Sequence, residues 1–192
     1  PEARHLYFQY RDDPGIEWVG VSCHIGSQIL DVSPLVEAVE KVLALASDLR
    51  AEGIPIREVD IGGGLGIAYR PQEAPTAIPS FIAQVIEKFR LSGFSLAVEP
   101  GRSLVAESGV LLTRVLHLKP GSERNFVIVD AAMNDLIRPV LYHAHHEIAP
   151  LTLRPSQPLV ADVVGPVCES GDFFARKRTL PEVSQGEWLA IC

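Results

Sequence analysis

The first half of the chain alternates short apolar strands with amphipathic helices. Strands are predicted at 18–23, 56–61 and 94–98, one helix is predicted with Ser33 as its N-cap, just before the first turn, and a second helix is predicted to begin at Ile78. The first helix has one apolar face, formed by Leu35, Val39, Val42, Ala46 and Leu49. A strand–helix–strand order is typical of parallel strands joined by right-handed crossovers. The pattern therefore predicts an α/β unit with a parallel sheet.

Polar or glycine-rich residues follow each of these strands at its carboxyl end. We name the stretches 24–28, 62–66 and 99–102 the rim segments. In a barrel or an open α/β sheet, ligands bind at this edge. The glycines at 62–64 and 66 let the backbone approach an anion, because no Cβ stands in the way. The run fits neither the dinucleotide fingerprint nor the P-loop, and it also fits a simple tight turn.

Single residues of the rim segments have two interpretations each. His24 is either a core histidine satisfied by a neighbour or an aromatic face for a flat cofactor, with Ser27 as a phosphate donor. Glu99 and Arg102 either form a local ion pair or bind a ligand. In the second case the carboxylate holds a protonated ring nitrogen and the arginine binds an anion in a bidentate manner.

The pattern changes after about Leu104. Strands are predicted at 110–118, 126–129 and 159–164, with Pro and Gly between them and no long amphipathic helix. We therefore predict two domains, 1–107 and 108–192, the second all-β. At the other end of the chain, the turn cluster 12–15 predicts that ordered structure begins only at Trp18.

The second section has its own unusual polar residues. Arg138 is either a solvated surface arginine or a ligand group, and Tyr142 is either a half-buried strand tyrosine or a ligand group. Cys168 is either an inert buried cysteine or a reactive thiol in a polar loop that also contains Glu169. The histidines near 145 lack neighbours at ligand spacing, so no metal site is predicted.

Composition excludes several classes of function. A formal net charge of -7 without a basic block argues against nucleic-acid binding. No apolar run reaches the roughly 18 residues of a membrane span, and no stretch near Pro1 has the basic, apolar, small-residue order of a signal peptide, so we expect a cytoplasmic protein without membrane contact. Three widely spaced cysteines suit a reducing compartment. Because the chain begins at Pro1 without Met and stops within an apolar run, we expect an internal fragment of a longer protein.

Taken together, the motifs resemble those of the fold-type III, pyridoxal-phosphate-dependent decarboxylases. The resemblance extends from Gly20 to Ile191 and keeps the family's motif order. The motifs are His24-Ile-Gly-Ser-Gln, Asp60-Ile-Gly-Gly-Gly-Leu-Gly-Ile, Glu99-Pro-Gly-Arg, Asp130-Ala-Ala-Met-Asn-Asp-Leu-Ile-Arg-Pro with Leu141-Tyr142, and Gly165-Pro-Val-Cys-Glu-Ser-Gly-Asp. It implies the C-terminal part of a (β/α)8 barrel at 1–107 and part of a β-sheet or β-barrel domain at 108–192. It also implies pyridoxal 5'-phosphate as cofactor and a homodimer with shared active sites.

The resemblance also implies roles for single residues. His24 would stack on the pyridine ring, and Glu99 would pair with the ring nitrogen. The phosphate would be held by Ser27, Gly62, Gly63, Gly64 and the backbone of Glu99, Pro100, Gly101 and Arg102. The substrate's distal carboxylate would be bound by Arg102, Arg138 and Tyr142. Cys168 would return a proton to the α-carbon and Glu169 would bind the distal ammonium, both from the partner subunit.

A glutamate after Cys168, together with an arginine for a distal carboxylate, suits an amino-acid substrate with two carboxylates. The implied reaction is decarboxylation of meso-2,6-diaminopimelate to L-lysine and CO2 in lysine biosynthesis. Ornithine decarboxylases differ here, with aspartate and glycine after the cysteine. Unpaired buried polar groups reject analogues that lack the partner group.

The sequence departs from the family pattern in two places. None of the four lysines has the context of the lysine that would bind the cofactor, and the last active-site tyrosine is missing, so we expect both outside this chain. The alternatives are another basic amino-acid or polyamine decarboxylase of this fold type, a non-catalytic homologue, or an unrelated barrel enzyme for a sugar phosphate. We also expect the isolated piece to behave poorly, because the strand edge at 18–23 has no partner. A monomeric, sharply melting sample would contradict this.

Overall fold

The computed structural model describes residues 2–152, 155 and 157–192. The chain divides into two compact units, Pro1–Ala106 and Glu107–Cys192. Among the described residues, no helix is both long and apolar enough to cross a membrane.

The first unit is a three-stranded parallel sheet with helices between its strands. Its elements are α1 Glu2–Gln9, β1 Gly20–Ser22, α2 Ser33–Ala51, β2 Glu58–Asp60, α3 Ile78–Phe89, β3 Ser95–Ala97 and α4 Arg102–Val105. The strand order is β1-β2-β3, and Val59 lies opposite Val21 on one side and Leu96 on the other. The predicted α/β unit with a parallel sheet is confirmed.

The core of this unit lies between the sheet and helices α2 and α3. The predicted apolar face of α2 is buried along its whole length. Val59 and Val85 are fully buried beside it. The structure places Ser33 inside the first turn of α2 instead of before it, and the Asp31 carboxylate accepts its N–H at 3.0 Å. That hydrogen bond, together with one from the Ser33 hydroxyl, lowers the pKa of Asp31.

The prediction that order begins at Trp18 is wrong, because α1 precedes it. Tyr7 and Phe8 of α1 pack against the core of the unit. The Tyr7 hydroxyl donates to the Gly20 carbonyl at 2.7 Å, and the Tyr7 and Trp18 ring centroids are 4.4 Å apart. Burial raises the pKa of Tyr7. The contacts that stabilise α1 come from tertiary packing, which the short local pattern does not reveal.

The second unit is a six-stranded, mostly antiparallel sheet. Its elements are β4 Leu111–Lys119, β5 Asn125–Val129, α5 Arg138–Tyr142, β6 Ile148–Pro150, β7 Pro158–Val164, β8 Phe173–Pro181 and β9 Trp188–Ile191. The strand order is β6-β9-β4-β5-β7-β8, and only the β5–β7 pair is parallel among the described residues. The three predicted strands are confirmed as β4, β5 and β7. The sequence did not predict β6, β8 and β9.

Candidate functional site

The three rim segments touch one another through their backbones. The Glu99 N–H donates to the Gly62 carbonyl at 2.8 Å, and the N–H of Ile29, the residue directly after 24–28, donates to the Gly64 carbonyl at 3.0 Å. Neighbouring parallel strands end at the same edge of a sheet, so the stretches that follow them adjoin. The structure therefore brings together the candidate residues of 24–28, 62–66 and 99–102.

The glycines of 62–66 are needed for the rim segments to pack against each other, whether or not a ligand binds. A Cβ on Gly63 would overlap the Glu99 carbonyl oxygen. Gly62 has φ +68, and a Cβ there would lie 2.5 Å from the Cys23 carbonyl oxygen. By contrast, a Cβ on Gly101 would meet no heavy atom within 4 Å. Gly62 and Gly63 therefore permit the close packing of the rim segments, whereas Gly101 has open space where a side chain would begin.

His24 is exposed at the rim, and its ring is oriented by a backbone group. The Gly63 N–H donates to His24 Nδ1 at 3.2 Å. In the neutral ring Nδ1 is then the acceptor, and Nε2 carries the proton. Next to it, burial and then the charge of Asp60 raise the pKa of the Cys23 thiol. Cys23 is therefore held as the neutral thiol, a poor nucleophile.

Arg102 is oriented by a residue to which sequence reasoning gave no role. Arg102 Nη1 donates to Gln28 Oε1 at 3.1 Å, and Gln28 Nε2 donates to the Ile67 carbonyl at 2.5 Å. Within the described part of the chain, Glu99 and Arg102 form no ion pair with each other, so the first of the two interpretations is not what the structure shows. Glu99 is exposed and Arg102 is half-buried.

Asp60 is a second residue that sequence reasoning left without a role. Its carboxylate accepts the Gly62 N–H at 2.7 Å, two residues ahead in the chain. Aspartate often bonds the backbone two residues on, so an Asp two residues before a glycine run is a signal for this turn. Asp60 thus fixes the point where the chain leaves β2 and enters the glycine run.

In the second unit, the loop 165–172 is organised by Asp172, whose side chain is buried. Its carboxylate accepts the Val167 N–H at 2.7 Å and the Met133 N–H at 2.6 Å. A Cβ on Gly165 would overlap this carboxylate. Asp172 therefore ties the Cys168 loop to the stretch that leads into α5.

The helix α5 lies beside the Cys168 loop. A Cβ on Gly171 would lie 2.9 Å from Val140 Cγ2 of α5. Cys168 is exposed, which contradicts the interpretation as a buried cysteine. Tyr142 is 67% exposed and helical, which contradicts the interpretation as a half-buried strand tyrosine. The Glu169 carboxylate accepts the Gly171 N–H of its own loop at 3.1 Å.

His145 and His146 contact protein groups through their ring nitrogens. Arg178 Nη2 lies 3.1 Å from His145 Nδ1, and the Glu147 carboxylate lies 3.5 Å from His145 Nε2. Burial lowers the pKa of His146, whose Nδ1 lies 2.7 Å from the Cys192 carbonyl. Among the residues that the structure describes, no group of at least three His, Cys, Asp or Glu side chains could hold a metal ion.

Comparisons with known proteins match nearly the whole chain. A family model described as "Pyridoxal-dependent decarboxylase, C-terminal sheet domain" matches residues 12–192. Diaminopimelate decarboxylase from Aquifex aeolicus is 47% identical over 193 residues, covering 99% of this chain and 45% of that protein. The protein of the same name from Neisseria meningitidis serogroup A is 46% identical over 192 residues, covering 99% of this chain and 46% of that protein.

A solved structure is similar over the same length. The crystal structure of diaminopimelate decarboxylase from Helicobacter pylori complexed with L-lysine has a TM-score of 0.89 and 43% identity. The match covers 99% of this chain and 47% of that one. The chain thus spans about half the length of the curated relatives it matches.

Proposed function

The chain belongs to the family of pyridoxal-dependent decarboxylases, and from this premise we propose that the full-length protein decarboxylates meso-2,6-diaminopimelate to L-lysine and CO2. The relatives named above are diaminopimelate decarboxylases, and one was crystallised with L-lysine. The single observation that supports the proposal most is the joining of the three rim segments, with Arg102 oriented by Gln28 and His24 by Gly63.

The architecture proposed for the full-length protein follows the same family. The unit Pro1–Ala106 would be the C-terminal part of a (β/α)8 barrel, and Glu107–Cys192 would belong to the β domain that follows it. The parallel order of β1, β2 and β3 supports this, since a barrel of this kind is built only from parallel strands. The homodimer with shared sites and the cytoplasmic location stay predictions.

Pyridoxal 5'-phosphate has a flat ring, a ring nitrogen and a phosphate, and the rim residues fit all three. His24 offers an exposed aromatic ring, and Glu99 offers an exposed carboxylate. Ser27 offers an exposed hydroxyl and Arg102 a guanidinium for the phosphate, and a Cβ on Gly101 would meet no heavy atom within 4 Å. When bound, the cofactor supplies an electron sink for the pair of electrons left when CO2 departs.

The chain's own side chains would bind the substrate and manage its protons. Glu99 would keep a proton on the ring nitrogen, because a nearby carboxylate favours the charged form. Arg102, Arg138 and Tyr142 would bind the distal carboxylate. Cys168 would give a proton to the α-carbon and Glu169 would bind the distal ammonium, both in the site of the partner subunit.

The test is CO2 release by the full-length protein loaded with pyridoxal phosphate. We expect release from meso-diaminopimelate to exceed release from L-ornithine by at least about a hundredfold, because ornithine leaves the distal-carboxylate groups unpaired. A preference for ornithine would identify a different decarboxylase. A protein that binds the cofactor and releases CO2 from neither substrate would be a non-catalytic homologue.

A matched pair of variants tests whether the Cys168 thiol is the proton donor. Cys168→Ala is expected to lower the rate of L-lysine formation by about a hundredfold or more, the usual contribution of a positioned proton donor. Cys192→Ala is the control, because Cys192 is also an exposed free cysteine and has no proposed role. Equal rates for the two variants would remove Cys168 from the proposed mechanism.

A further inference from the structure

Gln28 has a backbone conformation that side chains rarely adopt. Its φ is +60, in the left-handed region, although it is not a glycine. This conformation brings Cβ too close to the following carbonyl and persists only where the surroundings determine it. Such outliers often lie at functional sites, and the contacts of the Gln28 side chain indicate its role.

The Gln28 side-chain amide pairs with the backbone of Ile67, directly after the rim segment 62–66, as a peptide group of a neighbouring strand would. Its Nε2 donates to the Ile67 carbonyl at 2.5 Å, and its Oε1 accepts the Ile67 N–H at 3.4 Å. The adjacent residue Ile29 forms a parallel bridge with Leu65, so the amide extends an existing ladder. These contacts fix the plane of the amide and hence the direction in which Oε1 points.

The oxygen that Ile67 orients is the one that Arg102 contacts. Arg102 Nη1 donates to Gln28 Oε1 at 3.1 Å, across 74 positions of sequence. Guanidinium has five N–H donors in a planar fork, and a carboxylate ligand uses two of them in parallel. A contact at Nη1 sets the plane of the fork and leaves donors for a ligand.

The neutrality of Gln28 matters as much as its position. A glutamate here would form an ion pair with Arg102 and cancel the charge that attracts an anion. A neutral amide orients the guanidinium and preserves its positive charge. We propose that Gln28 is a positioning residue that presents Arg102 to the carboxylate of the substrate, and so favours ligands with a carboxylate at that end. This inference rests on the proposed function, which places the substrate carboxylate at Arg102.

The test compares two ligands that differ by one carboxylate. L-lysine and cadaverine share the carbon chain and both amines, and only L-lysine has the carboxylate. Their affinities are measured by calorimetry with the full-length, cofactor-loaded protein and with Gln28→Glu, which keeps the size, adds a charge and removes the Nε2 donor to Ile67. We expect L-lysine affinity to fall about tenfold to a hundredfold, in line with loss of a charged hydrogen bond, while cadaverine affinity does not fall.

Three results would overturn the inference. An unchanged L-lysine affinity would show that Gln28 does not influence Arg102. An equal loss for L-lysine and cadaverine would show general damage to the site. A loss of pyridoxal phosphate affinity, measured by absorbance titration, as large as the loss for L-lysine would assign Gln28 to the cofactor instead.

A double-mutant cycle shows whether the effect passes through Arg102. In the Arg102→Ala background, the neutral change Gln28→Gly is expected to leave L-lysine affinity unchanged within about threefold, since coupled residues are not additive. Full additivity contradicts the inference. Gln28→Gly is the second variant: glycine takes φ +60 without strain, so the backbone is kept and only the side chain is lost. It is expected to weaken L-lysine binding without affecting cadaverine, and a cadaverine loss of equal size contradicts the inference.

The outcomes separate this inference from the proposed reaction. If the wild-type protein releases no CO2 from meso-diaminopimelate but L-lysine binding depends on Gln28 through Arg102, the reaction is wrong and the positioning role stands. If the wild-type protein is active and the Gln28→Glu protein binds L-lysine normally, only the positioning role is wrong. In the active case, Gln28→Glu should raise KM more than it lowers kcat, because the contact forms already in the substrate complex.

Discussion

The rim segments of the first unit and the Cys168 loop of the second unit are fixed by different physical means. Across the rim, segments meet through backbone groups that approach closely because Gly63 has no Cβ, and through the neutral amide of Gln28. In the Cys168 loop, one buried carboxylate, Asp172, accepts N–H groups from two separate stretches. The first arrangement therefore depends on space, and the second depends on a hydrogen-bond acceptor without which two N–H groups lose their partner.

The rim should be the more fragile of the two toward added volume, because a Cβ on Gly63 meets backbone, whereas a Cβ on Gly165 of the Cys168 loop meets the side chain of Asp172. Gly63→Ala places a methyl group onto the Glu99 carbonyl, and relief requires movement of the backbone. We expect the full-length protein to lose about 3 kcal/mol of unfolding free energy in urea, at the upper end of the range for overpacking. Gly109→Ala is the control, since its Cβ would meet nothing within 4 Å. A Gly63→Ala protein as stable as the control would refute the steric account of the rim.

The Cys168 loop should instead be sensitive to a change that conserves volume. Asp172→Asn replaces one accepting oxygen with an NH2 group that faces the N–H of Val167 or Met133. An unpaired buried donor costs about 1–3 kcal/mol, so we expect a loss of roughly 2 kcal/mol in the same urea experiment. The matched control is Glu123→Gln, the same kind of change at an exposed position of the second unit. If both changes cost the same, Asp172 does not organise the loop.

A smaller effect should appear as acid sensitivity of the second unit. The Asp130 carboxylate accepts the Arg114 N–H and the Thr113 hydroxyl, both at 2.7 Å, and these hydrogen bonds lower the pKa of Asp130. Because the pKa of Asp130 is lower in the folded than in the unfolded chain, its ionised carboxylate adds to the free energy of unfolding, and this contribution is complete at pH values above the pKa of the unfolded chain. That stability is lost as pH falls through the folded value.

The measurement is the urea midpoint of wild type and Asp130→Asn between pH 6 and pH 3. The wild type should be more stable at pH 6, and the difference should shrink as the pH falls below about 4. Because Asp130 is exposed and screened by solvent, we expect a difference below about 1 kcal/mol. If the difference between the two urea midpoints grew as the pH fell, the hydrogen bonds of Asp130 would not be the cause of the acid sensitivity.

The sequence predicted the periodic elements and missed those defined by distant contacts. The stripe from Leu35 to Leu49 and the order of strands and helices were sufficient for the parallel unit. Strand β8 was missed because the charged run 176–178 stands in its middle and does not resemble a strand interior when the sequence is read alone. In the structure Lys177 has φ +47, and the Asp162 carboxylate of β7 accepts its N–H at 2.6 Å.

In the candidate site, too, some residues could be located from local motifs, while the roles of others depend on contacts with distant parts of the chain. Family motifs located His24, Glu99 and Arg102, and the parallel order explains why their segments meet. The roles of Gln28 and Asp172 depend on partners 39 positions away in each case, Ile67 and Met133. No local pattern contains such a partner, so these two roles were found only in the structure, whereas the hydrogen bond from Gly62 to Asp60 has a local signal.

The most direct test of the central claim is a crystal structure of the full-length protein with pyridoxal phosphate and L-lysine. We expect the lysine carboxylate to lie within hydrogen-bonding distance of the Arg102 guanidinium, while Arg102 Nη1 still donates to Gln28 Oε1. A lysine carboxylate bound elsewhere, with Arg102 turned away from Gln28, would contradict it.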